Sequence, residues 1–200
     1  MPTTEDDQTL RQRFSQALVP VPTSVTIVST SGTDGPCAQT VSAMCPVSTE
    51  PPLLLVCVNR RSPLNAAIEQ SGDFCVSVLT TSHDHVADTF AGRPWPGKGR
   101  WDFSCGEWGT APSGSPVLTD AFASFDCALT ERVQAGSHFI YVGLVTSVDG
   151  ELTGTPLAYA DRGYAAMAPI EPSAFANHPD AHPANRASSL RHHHQKEATS

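Results

Sequence analysis

Positive charge is scarce in this chain. Only 12 Lys and Arg stand against 20 Asp and Glu among 200 residues, for a formal charge of −8. Nucleic acids and anionic membranes are bound through clustered Lys and Arg, so the deficit argues against both as partners. Long hydrophobic runs are missing too. The longest, residues 51–58, suits one buried strand and falls far short of a membrane span. Residues 1–7 are polar and acidic, unlike a secretory signal. The six cysteines (Cys37, Cys45, Cys57, Cys75, Cys105 and Cys127) include no Cys-x-x-Cys pair. Cys57, Cys75 and Cys127 lie inside apolar strand patterns, as reduced thiols of a cytoplasmic protein do. No Gly-x-Ser-x-Gly elbow, P-loop or Gly-x-Gly-x-x-Gly fingerprint occurs, and Asp120 and Asp126 lack a recognisable partner carboxylate, so nothing marks a hydrolase. His83 and His85 stand two apart on a predicted helix and do not face one another, so no metal site is expected.

What is present reads as a β-rich chain. Leu10, Phe14 and Leu18 recur at the four-residue step of a first helix over 9–18, which Pro20 and Pro22 stop. Residues 1–8 read as a flexible N-terminus. Strands are expected at 25–30, 37–47, 53–58, 74–79, 121–130, 139–148 and 156–159. Between them fall two short helices, one opened by Ser62-Pro63 and closed by Gly72, the other over 82–90. Strands without regular β-α alternation predict a mainly β, α+β domain: an antiparallel Greek-key barrel with short helices, spanning 9–168. Residues 169–200, with scattered Pro, Ala, Ser and His, read as a mostly disordered tail.

Several stretches carry candidate chemistry. Asn59-Arg60-Arg61-Ser62-Pro63 places two guanidinium groups and a helix N-terminus after a buried strand. That suits a phosphate, although a capped helix with two solvated arginines reads the same way. The small and hydroxyl-bearing run Gln39 to Met44 suits a flat ligand lying close to the backbone, or a weak edge strand. The segment 92–116, with Trp95, Trp101 and Trp108, is too long for a simple connector and reads as a lid or a packed excursion. His138, after a Gly-Ser step, reads on its own as the first residue of a strand.

Taken in order, these pieces resemble the short-chain flavin reductases, the FMN-binding split-barrel reductase components of two-component flavin-dependent monooxygenases. The resemblance is carried by TSVTIVST (23–30), TVSAMCPVSTEPPLLLVCV (40–58), SPLNAAIEQSGDFCVSVL (62–79), Phe90-Ala91-Gly92, GSPVLTDAFASFDCAL (114–129), Gly136-Ser137-His138 and PLAYADRGY (156–164). It implies an NAD(P)H:flavin oxidoreductase passing hydride from NADH or NADPH to FMN, or FAD, and supplying reduced flavin to a separate monooxygenase. It further implies that Thr40, Val41, Ser42 and Ala43 run along the isoalloxazine, with Cys57, Val58 and Asn59 beside the ribityl chain. Arg60 and Ser62 would meet the phosphate, and Phe90 and Ala91 would close over the flavin. His138 would sit where nicotinamide stacks, with Tyr159, Arg162 and Tyr164 holding the dinucleotide, in a homodimer. A non-catalytic FMN-binding module and a pyridoxamine-phosphate-oxidase-type enzyme are the rival readings.

Overall fold

The computed structural model describes residues 4–150 and 152–169, and its compact unit ends at Met167. The expected disordered tail falls on residues 170–200, outside the described residues. Helix α1 (Thr4–Leu18) begins before residue 9, so residues 4–8, expected to be flexible, are helical. Leu10, Phe14 and Leu18 are 64, 64 and 51 % exposed, so the apolar stripe of α1 faces solvent.

The chain continues through β1 (Thr23–Ser24), β2 (Thr26–Gly32), β3 (Gly35–Val41), β4 (Met44–Thr49) and β5 (Pro52–Asn59). Helix α2 (Leu64–Ser71), β6 (Asp73–Val78) and, after a single tight turn, helix α3 (Asp84–Phe90) follow. A hairpin pair β7 (Trp108–Thr110) and β8 (Pro116–Leu118) precedes β9 (Ala123–Ala135), β10 (His138–Asp149), β11 (Leu157–Ala160) and β12 (Gly163–Ala166). Seven strands make one antiparallel sheet in the order β3-β2-β6-β9-β10-β5-β4. The expected strand over 37–47 is in fact two, β3 and β4, broken at Ser42-Ala43.

That break shapes the molecule. β3 and β4 are the two outer strands, yet only two residues separate them. A flat sheet of seven strands would place its edges nearly 30 Å apart, at about 4.8 Å per strand spacing. Two residues reach only about 7 Å. The sheet must curl until its edges meet, and no ladder joins β3 to β4. The result is a split barrel.

One core fills the barrel, with Val28, Val56, Val58, Phe74 and Tyr141 packed against Leu64 and Ile68 of α2. The four-residue spacing of Leu64 and Ile68 gives α2 a buried face, and Gly72 ends the helix at φ 75°, its N–H donating to the Ile68 carbonyl. Gly143 lets Phe74 and Cys127 close up, since a Cβ there would stand 2.6 Å from the Phe74 ring. A second core joins Ile27, Leu79, Val86, Phe90 and Leu118. Each such side chain, fully buried, contributes roughly 1.5–3 kcal/mol. The segment 92–116 belongs to this second core. Cys105, Ala111 and Ser115 are buried, Trp108 Nε1 donates to the Cys105 carbonyl at 3.1 Å, and Ser113 binds the buried Asp126 carboxylate through both its N–H and its hydroxyl. It is a packed excursion.

Candidate active site

The seam opens into a cavity of about 450 Å³. One wall is β3, through Cys37, Ala38 and Gln39; another is the loop after β5, through Asn59, Arg61 and Ser62; Phe90, Ala91, Trp101 and Phe103 complete it. A second cavity of about 160 Å³ lies next along β3, lined by Thr40, Ser42, Tyr159 and Tyr164 among others, and Ala91 stands on the rim of both.

The loop after β5 is tightly wound. Asn59 Oδ1 accepts the Arg61 N–H at 3.0 Å, and the Asn59 carbonyl accepts from Ser62 N–H and from Asn65 Nδ2. The Arg60 N–H donates to the Ser137 carbonyl. Ser62 Oγ accepts the Leu64 N–H at 3.1 Å and donates to Gln39 Oε1. These bonds qualify the sequence expectation of a helix start open to a phosphate: the N–H groups of Arg60, Arg61, Ser62 and Leu64 are already engaged. With the Ser62 hydroxyl proton given to Gln39, an anion here has to be held by guanidinium groups instead.

The two arginines diverge. Arg60 Nη1 reaches the Gly136 carbonyl at 3.4 Å, and its guanidinium lies 6.0 Å from the Phe139 ring. Arg61, unassigned by sequence, lines the main cavity and, with Arg60, the open hollow beside Ser137. If the cavity takes a flavin phosphate, Arg61→Ala should weaken FMN binding roughly tenfold or more, as expected for losing a charge-assisted contact. Arg60→Ala should weaken it distinctly less, and fluorescence titration would separate the two; equal losses would refute this division.

The other expected contacts divide by burial. Val41 and Val58 are core residues, 6 and 1 % exposed, and can offer a ligand only backbone. Thr40 Oγ1 donates to the Ala87 carbonyl at 2.7 Å and is committed to α3. Ser42 and Ala43 are exposed at the seam, and the Ala43 carbonyl accepts the Cys57 N–H. Burial pushes the thiols of Cys37 and Cys57 up, so both are neutral groups and poor nucleophiles. Phe90 is fully buried, edge-on to Phe103 at 5.1 Å and Trp108 at 5.2 Å, and forms a fixed wall of the cavity.

His138 opens β10, opposite Asn59 of β5, with Nδ1 2.9 Å from Ser137 Oγ. It is half-buried beside the arginine loop and lines neither cavity. Tyr159 and Tyr164 do line the smaller one, their rings 5.6 Å apart. Arg162 does not: it sits with φ 61° in the turn of the β11–β12 hairpin. Arg93 supplies the guanidinium of that cavity. Arg93 is thus a cavity residue that sequence reasoning missed; Gln39 and Arg61 stood there only within candidate stretches, as did Trp101 and Phe103. The Trp-rich composition of 92–116 signalled the last two, but nothing local ranked Arg61 over Arg60. Among the described residues, no group of three His, Cys, Asp or Glu side chains is placed to hold a metal, and no helix is long and apolar enough to cross a membrane.

Flavin mononucleotide fits this chemistry: a polar, cationic end at Arg61 and Ser62 and an apolar, aromatic wall at Phe90 and Phe103 share one cavity. Comparison with known proteins agrees. FMN reductase (NADH) RutF of Methylorubrum extorquens is 38 % identical over 179 residues, covering 86 % of each chain. BorF, the flavin reductase component of a bacterial two-component tryptophan halogenase, superposes with a TM-score of 0.68 at 31 % identity, covering 82 % of this chain and all of its own. Nitrilotriacetate monooxygenase component B of Mycobacterium thermoresistibile gives a TM-score of 0.73 at 28 % identity, covering 84 and 93 % of the two chains. The family profile of the flavin reductase like domain matches residues 18–168, and the chain belongs to that family.

Proposed function

We propose that this protein is an NADH:flavin oxidoreductase that reduces FMN and releases it to a partner oxygenase. The observation that carries this reading is the meeting of the β3 edge with Asn59, Arg61 and Ser62 in one cavity at the barrel seam. The relatives' names point the same way: RutF is an FMN reductase using NADH, and BorF serves a two-component halogenase. FMN and NADH are the preferred pair, with FAD and NADPH as the rivals.

When bound, FMN supplies the ring system that accepts a hydride from reduced nicotinamide. The chain's own work is positioning. Arg61 holds the phosphate end, Ser62 fixes Gln39 beside it, Ser42 and Ala43 border the ring at the seam, and Phe90 excludes water behind it. Such a transfer needs rings held at near-attack distance and no strong acid or base, which suits a cavity whose lining thiol, Cys37, is neutral. His138 has a positioning role at the open side of the Asn59 loop. We read the protein as a cytoplasmic homodimer, because its six cysteines are free and the exposed stripe of α1 would be covered by a second copy. A monomer mass by sedimentation equilibrium would refute the dimer.

NADH absorbance, followed with excess FMN, should fall far faster than with free flavin alone, and His138→Gln should raise the NADH KM with FMN affinity nearly unchanged. No NADH or NADPH loss above background would overturn the reductase reading in favour of an FMN-binding module. Titrating each nicotinamide against each flavin identifies the preferred pair.

A further inference from the structure

The smaller cavity contains a guanidinium that the flavin site does not use. Its position follows from the end of α3. Gly92, at φ 80°, donates its N–H to the Thr89 carbonyl, and the Arg93 N–H donates to the Asp88 carbonyl at 2.8 Å. This pair of bonds around a left-handed glycine is the Schellman ending, which turns the chain back on the last helical turn. It brings Arg93 beside Asp88, where Nη2 donates to Oδ1 at 2.8 Å. The same oxygen accepts the Tyr164 hydroxyl at 2.8 Å. Residues 88, 93 and 164 therefore converge from two distant parts of the chain, and Tyr159 stands against Tyr164 beside them.

The cavity holds about 160 Å³, the liquid volume of about five waters. That volume suits one planar ring. A longer ligand with its ring between the seam and the tyrosines must leave over the rim, where the Arg93 side chain is 60 % exposed. Asp88 engages one of the five guanidinium N–H donors and Tyr164 stands against another, leaving the rest for an anion. Among the described residues lining this cavity, Arg93 is the only cation, and in a chain of charge −8 a dianionic ligand needs one.

We infer that Arg93 holds the diphosphate of the reduced nicotinamide dinucleotide at the rim of the Tyr159–Tyr164 cavity, with Asp88 and Tyr164 fixing the guanidinium. This rests on the reductase reading above and assigns its co-substrate a specific cation. Arg93 lines the cavity, whereas Arg162, which the sequence resemblance suggested, stands in the β11–β12 turn and is not among the lining residues.

The test compares NADH with 1-benzyl-1,4-dihydronicotinamide, a reduced nicotinamide without phosphate, at saturating FMN. Arg93→Gln should raise the NADH KM roughly tenfold to a hundredfold, with kcat changed by no more than about threefold. The loss in kcat/KM should be at least about tenfold larger for NADH than for the phosphate-free compound. Arg93→Lys, which keeps the charge and loses the fork, should fall between wild type and Arg93→Gln. Equal losses on both reductants would show that Arg93 acts through the fold or the flavin, and would overturn the inference. So would an unchanged NADH KM in an active enzyme. Wild-type protein that leaves both reductants untouched would instead sink the reductase reading, and this inference with it.

Discussion

Stability to urea should fall steeply as pH rises from 9 to 12. Four groups sit in the folded protein with pKa values near 12. Burial, with the Asp126 charge adding to it, pushes the Cys75 thiol from 9.0 up to about 12, and burial beside Cys75 and Asp126 does the same for Cys127. Burial likewise lifts the Tyr141 phenol to about 12, with Glu69 adding to it, and the Tyr164 phenol to about 12, with its bond to Asp88 adding to it. In each case the folded pKa lies above the unfolded one. The folded state therefore keeps protons that the unfolded chain releases. The stabilisation is complete below pH 9 and is lost as pH climbs toward 12. Each tenfold step of acidity is worth about 1.4 kcal/mol, so a single buried thiol contributes on the order of 4 kcal/mol across this window. Cys75 and Cys127 lie on neighbouring strands, with Phe74 opposite Cys127 and Cys75 opposite Asp126, so their contributions overlap and do not add. Urea melts at half-unit intervals from pH 8 to 11.5 would measure the slope, and the double replacement Cys75→Ala, Cys127→Ala should flatten it. A stability curve level between pH 9 and 11.5 would contradict the assignment.

Phe90→Ala is expected to damage fold and site together. The ring is fully buried and belongs to a three-ring cluster in which Phe103 and Trp108 also meet at 4.8 Å. Truncating a buried Phe costs about 3–5 kcal/mol, part transfer and part cavity, which for a chain of this size lowers Tm by about 10 °C or more. The loss falls on the side of the core that anchors residues 92–121, so Trp101 and Phe103 would lose their backing and the cavity its wall. FMN affinity should fall with stability. Phe90→Leu, closer in volume, should cost much less of both. Differential scanning calorimetry and flavin titration of the two variants make the comparison, and a Tm for Phe90→Ala within about 2 °C of wild type would refute it.

The sequence was most readable where one physical signal dominated. The β-branched run of β2, the apolar runs of β5 and β6, and the alternation of β10 each announce a strand. The pair Leu64 and Ile68 with Gly72 announces α2 and its end. Among the strands of two to four residues β11 was readable, whereas β1, β7, β8 and β12 were not, because pairing with other strands defines them and not their own composition. The break at Ser42-Ala43 was hidden for a related reason: small residues carry no pattern that distinguishes a strand from a corner. The candidate site was legible as a set of stretches and not as a set of side chains. Asn59 to Ser62 and the 39–44 run do converge, but of the adjacent Arg60 and Arg61 only the second lines the main cavity, and Arg93 reaches the smaller one through a helix ending set five residues away. His138 stands beside the arginine loop and outside both cavities, a distinction that depends on strand register.

The seam between β3 and β4 has one more consequence. Every other pair of neighbouring strands in the barrel is joined by a ladder of backbone hydrogen bonds, whereas these two are joined by two residues of chain. A molecule seated in the main cavity touches β3 on one side and the loop leaving β5, the partner of β4, on the other. It acts as a removable staple across the gap. Occupancy then adds to the unfolding free energy by RT ln(1 + [L]/Kd), about 2.7 kcal/mol at a hundredfold excess over Kd. The melting point of this barrel becomes a gauge of how much flavin the surrounding solution holds.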